Sequence, residues 1–434
     1  MYNLLIKRRL EWILFAVLTI LPPINYVARE YMGFFFVSKT LMLGLATVLI
    51  MLVVLRQRNR IGELIQADSI NILLAVYLGL LVVSLFFTDN LMTAIAGKMY
   101  REEGLITIMM YFLLFLVARN IDDPDQKIYT GLLLAATLFA FFGIVQYLGI
   151  DFFREGTIAR TRSESIFDNP NFYGSYLVLM LPLAIDKYIR KRSRWGLVVY
   201  AILLFTLFAT MTRGSWIGAA LALIFYALLW IRLSHRFKVD LKRYLWIALV
   251  SILVIVSFNV VSGGRFQERF QSIGGESMKV LAPEGVEQKD VPARAFIWKN
   301  VIQLVKERPL TGYGLENLGQ VFTENVAEET REYVGYSVII DRAHNEYLHI
   351  AVSSGVPSLL VYLLFIGRIL WVAGSRIRRR LDLLPFFAAV IGYLIQASFN
   401  ISVVTVAYVF WIFLGFLSSY KRVYKDRIAR SNWF

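Results

Sequence analysis

Residues 341–357, DRAHNEYLHIAVSSGVP, decide how the longest apolar region of the chain is organised. From residue 343 to residue 373 the apolar character is nearly continuous, and one helix over that range would be ~45 Å long. The hydrocarbon core of a bilayer is only ~30 Å thick. Gly355 and Pro357 are residues that interrupt helices. The stretch therefore predicts a short helix over 343–353 at the membrane surface, followed by a span that begins near Val356.

The rest of the chain has the composition of a membrane protein. Of its 434 residues, 58% are hydrophobic and 15% aromatic, and the mean hydropathy is +0.59. Apolar runs of ~18–22 residues, the length that crosses a bilayer, recur along it. The predicted fold class is an all-α polytopic membrane protein, with residues 1–434 forming one integral membrane domain. Because the chain has no cysteine, it can form neither a disulfide nor a thiolate metal site.

About twelve transmembrane helices are predicted from these runs. They lie at approximately residues 10–27, 34–55, 69–88, 104–119, 129–148, 172–189, 195–211, 214–231, 244–261, 356–373, 383–399 and 401–420. The first run follows the basic residues Lys7, Arg8 and Arg9. No small-residue cleavage site comes after it, so it is predicted to be an uncleaved span rather than a signal peptide.

Lysine and arginine concentrate in alternate connections between these runs. The basic connections lie at residues 7–9, 56–60, 187–194, 232–243, 376–380 and 421–430. By the positive-inside rule these segments face the cytoplasm, which places both termini inside. The net charge of +15 is therefore explained by topology and by anionic lipid, and no nucleic-acid partner is expected.

The opposite set of connections includes one that is too long to be a plain link. It forms a large outer loop over 262–355, between spans 9 and 10, in which acidic residues outnumber basic ones up to residue 341. Within it, residues 293–308 have apolar residues at helical spacing, which predicts an amphipathic helix that Pro309 ends. Residues 262–292, rich in glycine and proline, are predicted to be irregular.

Several arginines fall in the outward-facing connections, where the positive-inside rule does not require them. They are Arg101, Arg154, Arg160, Arg162, Arg213, Arg265, Arg269, Arg294 and Arg342. A guanidinium group binds phosphate oxygens in pairs, so the set suggests an anionic ligand at the outer leaflet. The alternative is that these side chains pair with nearby carboxylates or reach lipid headgroups. Arg213 stands out because it lies in a tight turn with no acidic residue near it in sequence.

His344 is the candidate catalytic residue, because a histidine at the outer boundary can take a proton from a hydroxyl near neutral pH. The alternative is a histidine that only hydrogen-bonds within the loop. His349 is five residues away and is not expected to share a helical face with it. His235 lies in a basic connection predicted to be cytoplasmic. Asp168–Asn171 most simply opens the sixth span, with Asn169 as cap and Pro170 at the first helical position.

Neither paired carboxylates suited to glycoside hydrolysis nor a metal-ligand pattern is evident in the sequence. The adjacent pairs Glu102–Glu103 and Glu328–Glu329 would point apart on a helix. The outer connections contain no Asp-x-Asp, and no two histidines are four residues apart. We therefore expect neither a metal nor a cofactor.

Taken together, these motifs resemble the O-antigen ligase and O-antigen polymerase superfamily of lipid-linked glycan ligases and polymerases. His344 and Gly355 match the His-x10-Gly motif of the ligases, and Arg294–Trp298 matches their Arg-x3-Leu motif with tryptophan in place of leucine. Residues 212–215 resemble the family's arginine at the start of a span, and residues 167–171 resemble another family segment. The order of these motifs and the twelve-span frame carry the resemblance.

The resemblance implies a membrane fold of the GT-C type and a metal-independent glycosyltransferase in the bacterial cytoplasmic membrane. The donor would be a glycan on undecaprenyl pyrophosphate, transferred on the outer face to a hydroxyl of a glycan or glycolipid acceptor. Arg213 and Arg294 would hold the pyrophosphate, with Arg342 and Arg162 as further candidates. His344 would activate the acceptor hydroxyl.

Two other functions remain open. A polysaccharide polymerase of the O-antigen or teichuronic-acid type uses the same donor and differs in its acceptor. A lipid or polysaccharide transporter or flippase also suits twelve spans, but it would favour an inverted repeat and ionisable residues deep in the spans. No repeat is visible, and Lys39 is the one basic residue plainly inside a predicted span.

The predicted sidedness can be tested by cysteine labelling in intact cells. A cysteine introduced at Ser277, in the large outer loop, should react with a membrane-impermeant thiol reagent because that loop faces outward. A cysteine at Ser193, in a basic connection, should stay protected. Labelling at Ser193 with protection at Ser277 would reverse the topology.

Overall fold

A computed structural model describes residues 2–32, 39–56, 66–99, 101–121, 126–150, 161–233, 241–272, 293–334 and 339–419. Within these ranges the ordered elements are helices, and none is a β-strand. The predicted all-α class is therefore confirmed for the part of the chain that the structure describes.

The helices are numbered in chain order. They are α1 (Tyr2–Thr19), α2 (Leu21–Met32), α3 (Lys39–Leu55), α4 (Ser69–Ser84), α5 (Leu91–Ala96), α6 (Leu105–Arg119), α7 (Gln126–Tyr147), α8 (Pro170–Ile189), α9 (Arg194–Ala209), α10 (Arg213–Leu233), α11 (Leu241–Val261), α12 (Ala293–Glu307), α13 (Leu318–Val334), α14 (Glu346–Arg376), α15 (Leu384–Ala397) and α16 (Val404–Ser418). Short 3-10 helices follow α4 at Leu85–Phe87 and precede α15 at Leu381–Leu383.

Several of these helices are suited to a bilayer. Five in the described ranges are long and apolar enough to cross one, at Ser69–Phe87, Ile128–Tyr147, Arg213–Leu233, Leu241–Val261 and Glu346–Arg376. The pair Leu10–Thr19 and Leu21–Val27, bent by 45°, gives a sixth if it forms one span. The helices are those of a polytopic membrane protein. The count of twelve spans, their sidedness and the GT-C likeness stay predictions.

Two helices lie at the centre of the bundle. Every residue of α16 is buried, and α8 is buried along almost its whole length. α16 packs against α6, whereas α8 packs against α9, α10 and α15. α11 lies at the periphery, and Phe258 is the one buried residue along it. An apolar helix with so little protein contact is suited to face lipid.

The outer loop contains a hydrophobic core of its own, separate from that of the bundle. Phe296, Ile297, Val301 and Leu304 on one face of α12 are buried against the first turns of α13 and against Val352 of α14. The amphipathic helix predicted over 293–308 is thus confirmed, and its apolar stripe joins the outer loop to α14. Burial of these side chains removes apolar surface from water, which favours this docking.

The docking depends on a break in α14. Gly355 has φ 88° and ψ 162°, outside the helical region, and Pro357 has no N–H group. The carbonyl groups of Val352 and Ser353 therefore lose their usual partners within the helix. They accept hydrogen bonds from the backbone N–H groups of Tyr313 and Gly314, at 2.9 and 2.8 Å.

The turn at 309–314 fits the same break from the other side. The N–H of Val356 donates to the carbonyl of Pro309 at 2.8 Å. A Cβ atom on Gly355 would lie 2.2 Å from the carbonyl oxygen of Leu310, so a side chain there would push the turn out. The predicted interruption at Gly355 is confirmed, and it serves to seat the outer loop on the bundle.

Two other local predictions can be compared with the structure. Asn169 caps α8 by accepting from the N–H of Asn171 at 2.8 Å, with Pro170 as the first residue, which confirms the prediction. The irregular structure predicted over 262–292 is wrong at its start, because residues 265–272 are helical. Residues 273–292, which include Ser277, lie outside the described residues.

Replacement of Gly355 by alanine should weaken the attachment of the outer loop. An L residue in this backbone conformation is strained, and its Cβ meets Leu310, so Gly355→Ala should cost about 2 kcal/mol or more. Gly367→Ala in the same helix is the matched control, because nothing lies within 4 Å of its added Cβ. Melting in detergent should show a lower midpoint for Gly355→Ala alone; equal midpoints would contradict this account of the break.

Candidate functional site

His344 lies where the outer loop enters α14. Its neighbour Ala343 is fully buried in the outer-loop core. Its other neighbour, Asn345, caps α14, and the side chain accepts from the N–H groups of Tyr347 and Leu348 at 3.0 and 3.1 Å. His344 itself is half-buried. The backbone on both sides of the imidazole is therefore fixed by packing and by hydrogen bonds.

Trp298, which takes the place of leucine in the Arg-x3-Leu motif, contacts the segment before α14 directly. Trp298 donates its indole N–H to the carbonyl oxygen of Ala343 at 2.9 Å. It lies one turn after Arg294 on α12, so the two side chains share a helix face. α12 thus brings a candidate phosphate-binding arginine and a support for the His344 backbone to the same place.

The electrostatic surroundings keep His344 neutral. Burial lowers the pKa of the imidazole to about 4, and the positive charge of Arg294 acts in the same direction. The carboxylate of Asp341 opposes this shift only in part, since it is bound to Arg101 at 2.8 and 3.2 Å. A neutral imidazole is the form that can accept a proton.

A cationic cavity of about 370 Å³ lies by the start of α10. Arg162, Arg265 and Arg269 line it together with Ser272. Arg213, the first residue of α10, donates to the hydroxyl of Ser272 at 2.8 Å. Glu268 also lines the cavity, but three arginines in the lining and a fourth bonded to Ser272 leave an excess of positive charge, which favours an anion.

Arg162 shows how closely these charges are gathered. It donates to the carbonyl of Thr210 at 3.0 Å and to the side chain of Asn171 at 3.2 Å, which places it beside the N-terminal turn of α8. Burial lowers the pKa of its guanidinium, and Arg269, Arg294 and Arg213 lower it further. Since helix N-termini also favour anions, the starts of α8 and α10 add to the positive potential.

Arg342 lies in a different environment from the other candidate arginines. It is ion-paired with Glu316, and its Nη1 donates a hydrogen bond to His349 Nε2 at 2.7 Å. Its side chain is 3% exposed, so the ion pair is buried. Of the four arginines predicted to bind pyrophosphate, the structure groups Arg162, Arg213 and Arg294 and separates Arg342 from them.

Arg342 borders a second, acidic chamber between the bundle and the outer loop. Glu103, Glu316, Glu346 and His349 line it, with a cavity of about 70 Å³. Glu103 accepts from the hydroxyl of Tyr111 at 2.8 Å, and burial raises the pKa of its carboxyl to about 8. The sequence did not predict this chamber, because its carboxylates come from segments more than two hundred residues apart.

The sequence spacing predicts that His349 does not share a helical face with His344. In the structure His344 precedes α14 and His349 lies inside it, so the helical spacing rule does not relate them. The proximity of Glu346 and His349 to His344 along the chain was the one available signal for the chamber.

Non-glycine residues with a left-handed backbone gather in the connections predicted to face outward. Among the described residues, six of seven lie there, with φ between 50° and 62°: Glu102, Ser165, Asp168, Met211, Glu316 and His344. The seventh, Arg192, lies in a basic connection predicted to be cytoplasmic. Such conformations persist where the surrounding structure holds them, and they are frequent at functional sites. Their positions flank both the cationic cavity and the acidic chamber.

Some predicted features are not described by the structure. Arg154, Arg160 and His235 lie outside the described residues. Among the residues that are described, no group of three or more His, Asp or Glu side chains is arranged to hold a metal ion.

Comparison with known proteins finds a family and a protein that are similar to this chain. Residues 198–363 match a family model described as O-antigen ligase, a range that contains Arg213, Arg294, His344 and Gly355. A Haemophilus influenzae protein described as uncharacterized is 22% identical over 178 residues, or 41% of this chain. The chain spans 42% of that relative's length.

The family match covers the helices and the loop that bring the candidate base and two of the candidate arginines together. It supports the O-antigen ligase and O-antigen polymerase superfamily that the motifs predict.

Proposed function

We propose that this protein transfers a glycan from undecaprenyl pyrophosphate to an acceptor hydroxyl on the outer face of the cytoplasmic membrane, as an O-antigen ligase. The observation that carries the proposal is the position of Arg294, whose charge acts both on Arg162 at the cationic cavity and on His344. In this proposal, Arg294 links the anion held at the cavity to the neutral imidazole of His344.

The cationic cavity supports the role of the donor site. The leaving pyrophosphate gains negative charge as the glycosidic bond breaks, and fixed guanidinium groups stabilise that charge without reorganising. Arg213 and Arg162 are held by hydrogen bonds to Ser272, Thr210 and Asn171, so their positions are set before the donor arrives. Arg265 and Arg269 line the same cavity and extend the set that we assign to the donor.

His344 serves as the general base in this proposal. Its imidazole takes the proton of the acceptor hydroxyl while the oxygen attacks the anomeric carbon, and the pyrophosphate departs from the opposite face with the bonding electrons. The configuration at that carbon is inverted. A bound pyrophosphate would offset the charge of Arg294, which raises the pKa of His344 and makes it a stronger base in the complex.

The two alternatives differ from this proposal in testable ways. A polymerase would use the same arginines and the same base with a growing lipid-linked glycan as acceptor, so purified protein supplied with each acceptor separates the two. A flippase would move the donor without breaking the bond to pyrophosphate. The charge of Arg294, which acts on both the candidate base and Arg162 of the cavity, favours chemistry over transport.

Activity should survive exhaustive chelation. The arginines supply the positive charge that a divalent ion would otherwise provide at the leaving group. Transfer from lipid-linked donor would be measured with purified protein before and after EDTA treatment. Loss of transfer that magnesium or manganese restores would contradict the arginine-based mechanism.

His344→Ala should lower the transfer rate by about 10²–10⁴-fold, the usual contribution of a general base, while donor binding stays near that of the parent. In the parent, kcat/KM should fall at acidic pH with a midpoint near the imidazole pKa of about 4, because only the neutral form accepts a proton. The acidic fall of kcat should have its midpoint at a higher pH than that of kcat/KM, since the bound pyrophosphate raises the pKa of His344.

Three variants complete the comparison. His235→Ala, in a connection predicted to be cytoplasmic, should transfer at the parent rate. Arg213→Ala should weaken donor binding, and Arg213→Lys should restore it only in part because an ammonium group lacks the guanidinium fork. Each variant must first match the parent in detergent melting. Parent-level turnover by folded His344→Ala would mean that another group is the base.

A further inference from the structure

The tryptophan at position 298 gives this chain a contact that the family's leucine cannot make. An indole N–H is a hydrogen-bond donor, whereas a leucine side chain has none. The indole of Trp298 uses that donor on the carbonyl oxygen of Ala343, at 2.9 Å. The peptide group that it holds is the one that joins Ala343 to His344.

The bond matters because the carbonyl it satisfies is in a buried place. Ala343 is 0% exposed and lies in the outer-loop core with Phe296 and Ile297 of α12. A buried carbonyl without a partner is costly, so the peptide would have to turn if the indole were removed. The indole thus ties the backbone ahead of His344 to the helix that carries Arg294.

His344 has a backbone that needs such support. Its φ is 50°, a left-handed conformation that few residues other than glycine adopt. On the far side, Asn345 is held by its capping bonds to Tyr347 and Leu348. On the near side, the tie is the bond from Trp298. Loss of either restraint lets the segment relax toward an ordinary backbone.

We propose that Trp298 is a positioning residue for His344: its hydrogen bond to Ala343 fixes the strained backbone so that the imidazole stays beside Arg294. This inference rests on the proposed function, in which His344 is the general base. Compared with the leucine of the Arg-x3-Leu motif, the indole packs against the outer-loop core and adds a hydrogen-bond donor.

The position of the imidazole has a chemical signature that can be read without catalysis. Arg294 is the leading charge that holds the pKa of His344 low. If the segment relaxes and the imidazole moves away from Arg294 and toward solvent, both burial and repulsion decrease. The pKa of His344 should then rise from about 4 toward the usual 6.5.

The test is Trp298→Phe, which keeps an aromatic ring and removes the N–H donor. Acylation of His344 by diethylpyrocarbonate, followed by peptide mass spectrometry against pH, reports the neutral imidazole directly. The midpoint should rise toward 6.5 in the variant, so that its relative reactivity falls at about pH 5–6 while the parent still reacts fully. In the transfer assay kcat should fall about three- to tenfold with the donor KM unchanged.

Two tryptophans provide matched controls. Trp371 is 73% exposed, and Trp371→Phe should change neither the acylation midpoint nor the rate. Trp216 donates its indole N–H to the carbonyl of Leu207 at 3.1 Å within the bundle. Trp216→Phe therefore removes a comparable bond elsewhere; it should match Trp298→Phe in melting temperature but leave the acylation midpoint of His344 at the parent value.

Trp298→Leu restores the family residue and serves as the second variant if Trp298→Phe does not fold; its midpoint should also rise. A parent-like midpoint in either folded variant would overturn the positioning role. That result is distinct from failure of the proposed function, which would appear as parent-level transfer by His344→Ala and would leave the acylation data standing.

Discussion

The break in α14 is the constraint on which the rest of the outer structure depends. Gly355 and Pro357 release two helix carbonyls in a buried part of the protein, and a buried carbonyl must find a partner. The turn at 309–314 supplies those partners from the outer loop. One local interruption therefore serves both to end a surface helix and to seat a long segment on the bundle.

Charged side chains from distant segments gather in two regions of the folded chain. The cationic cavity draws Arg162 from the connection before α8, Arg269 from the helical residues 265–272, and Arg213 from the start of α10. The acidic chamber draws Glu103 from the connection before α6, and Glu316 from the outer loop. Arg294 and Asp341 act on His344 between them. The packed structure therefore gathers arginines around one cavity and carboxyl groups around another.

The sequence by itself determined the class of the fold and several of its helix breaks and caps. Hydrophobic runs of bilayer length require helices, because every backbone group in hydrocarbon must be satisfied within its own segment. Gly355 with Pro357, Asn169 with Pro170, and the stripe of α12 act through local chemistry, so the break, the cap and the amphipathic helix were all predictable. The motifs around His344 and Arg294 likewise predicted a superfamily that the family match over residues 198–363 supports.

Only the tertiary structure decided which charged groups share a site. Arg342 was grouped with the other arginines because all were outward and basic, yet packing pairs it with Glu316 and His349. Glu103 and Glu316 come together although more than two hundred residues separate them, and no spacing rule relates residues so far apart. The bond from Trp298 to Ala343 depends on how α12 docks against α14. Such contacts depend on how the helices pack against one another. The sequence pattern indicates helical periodicity and local propensity, but it does not indicate that packing.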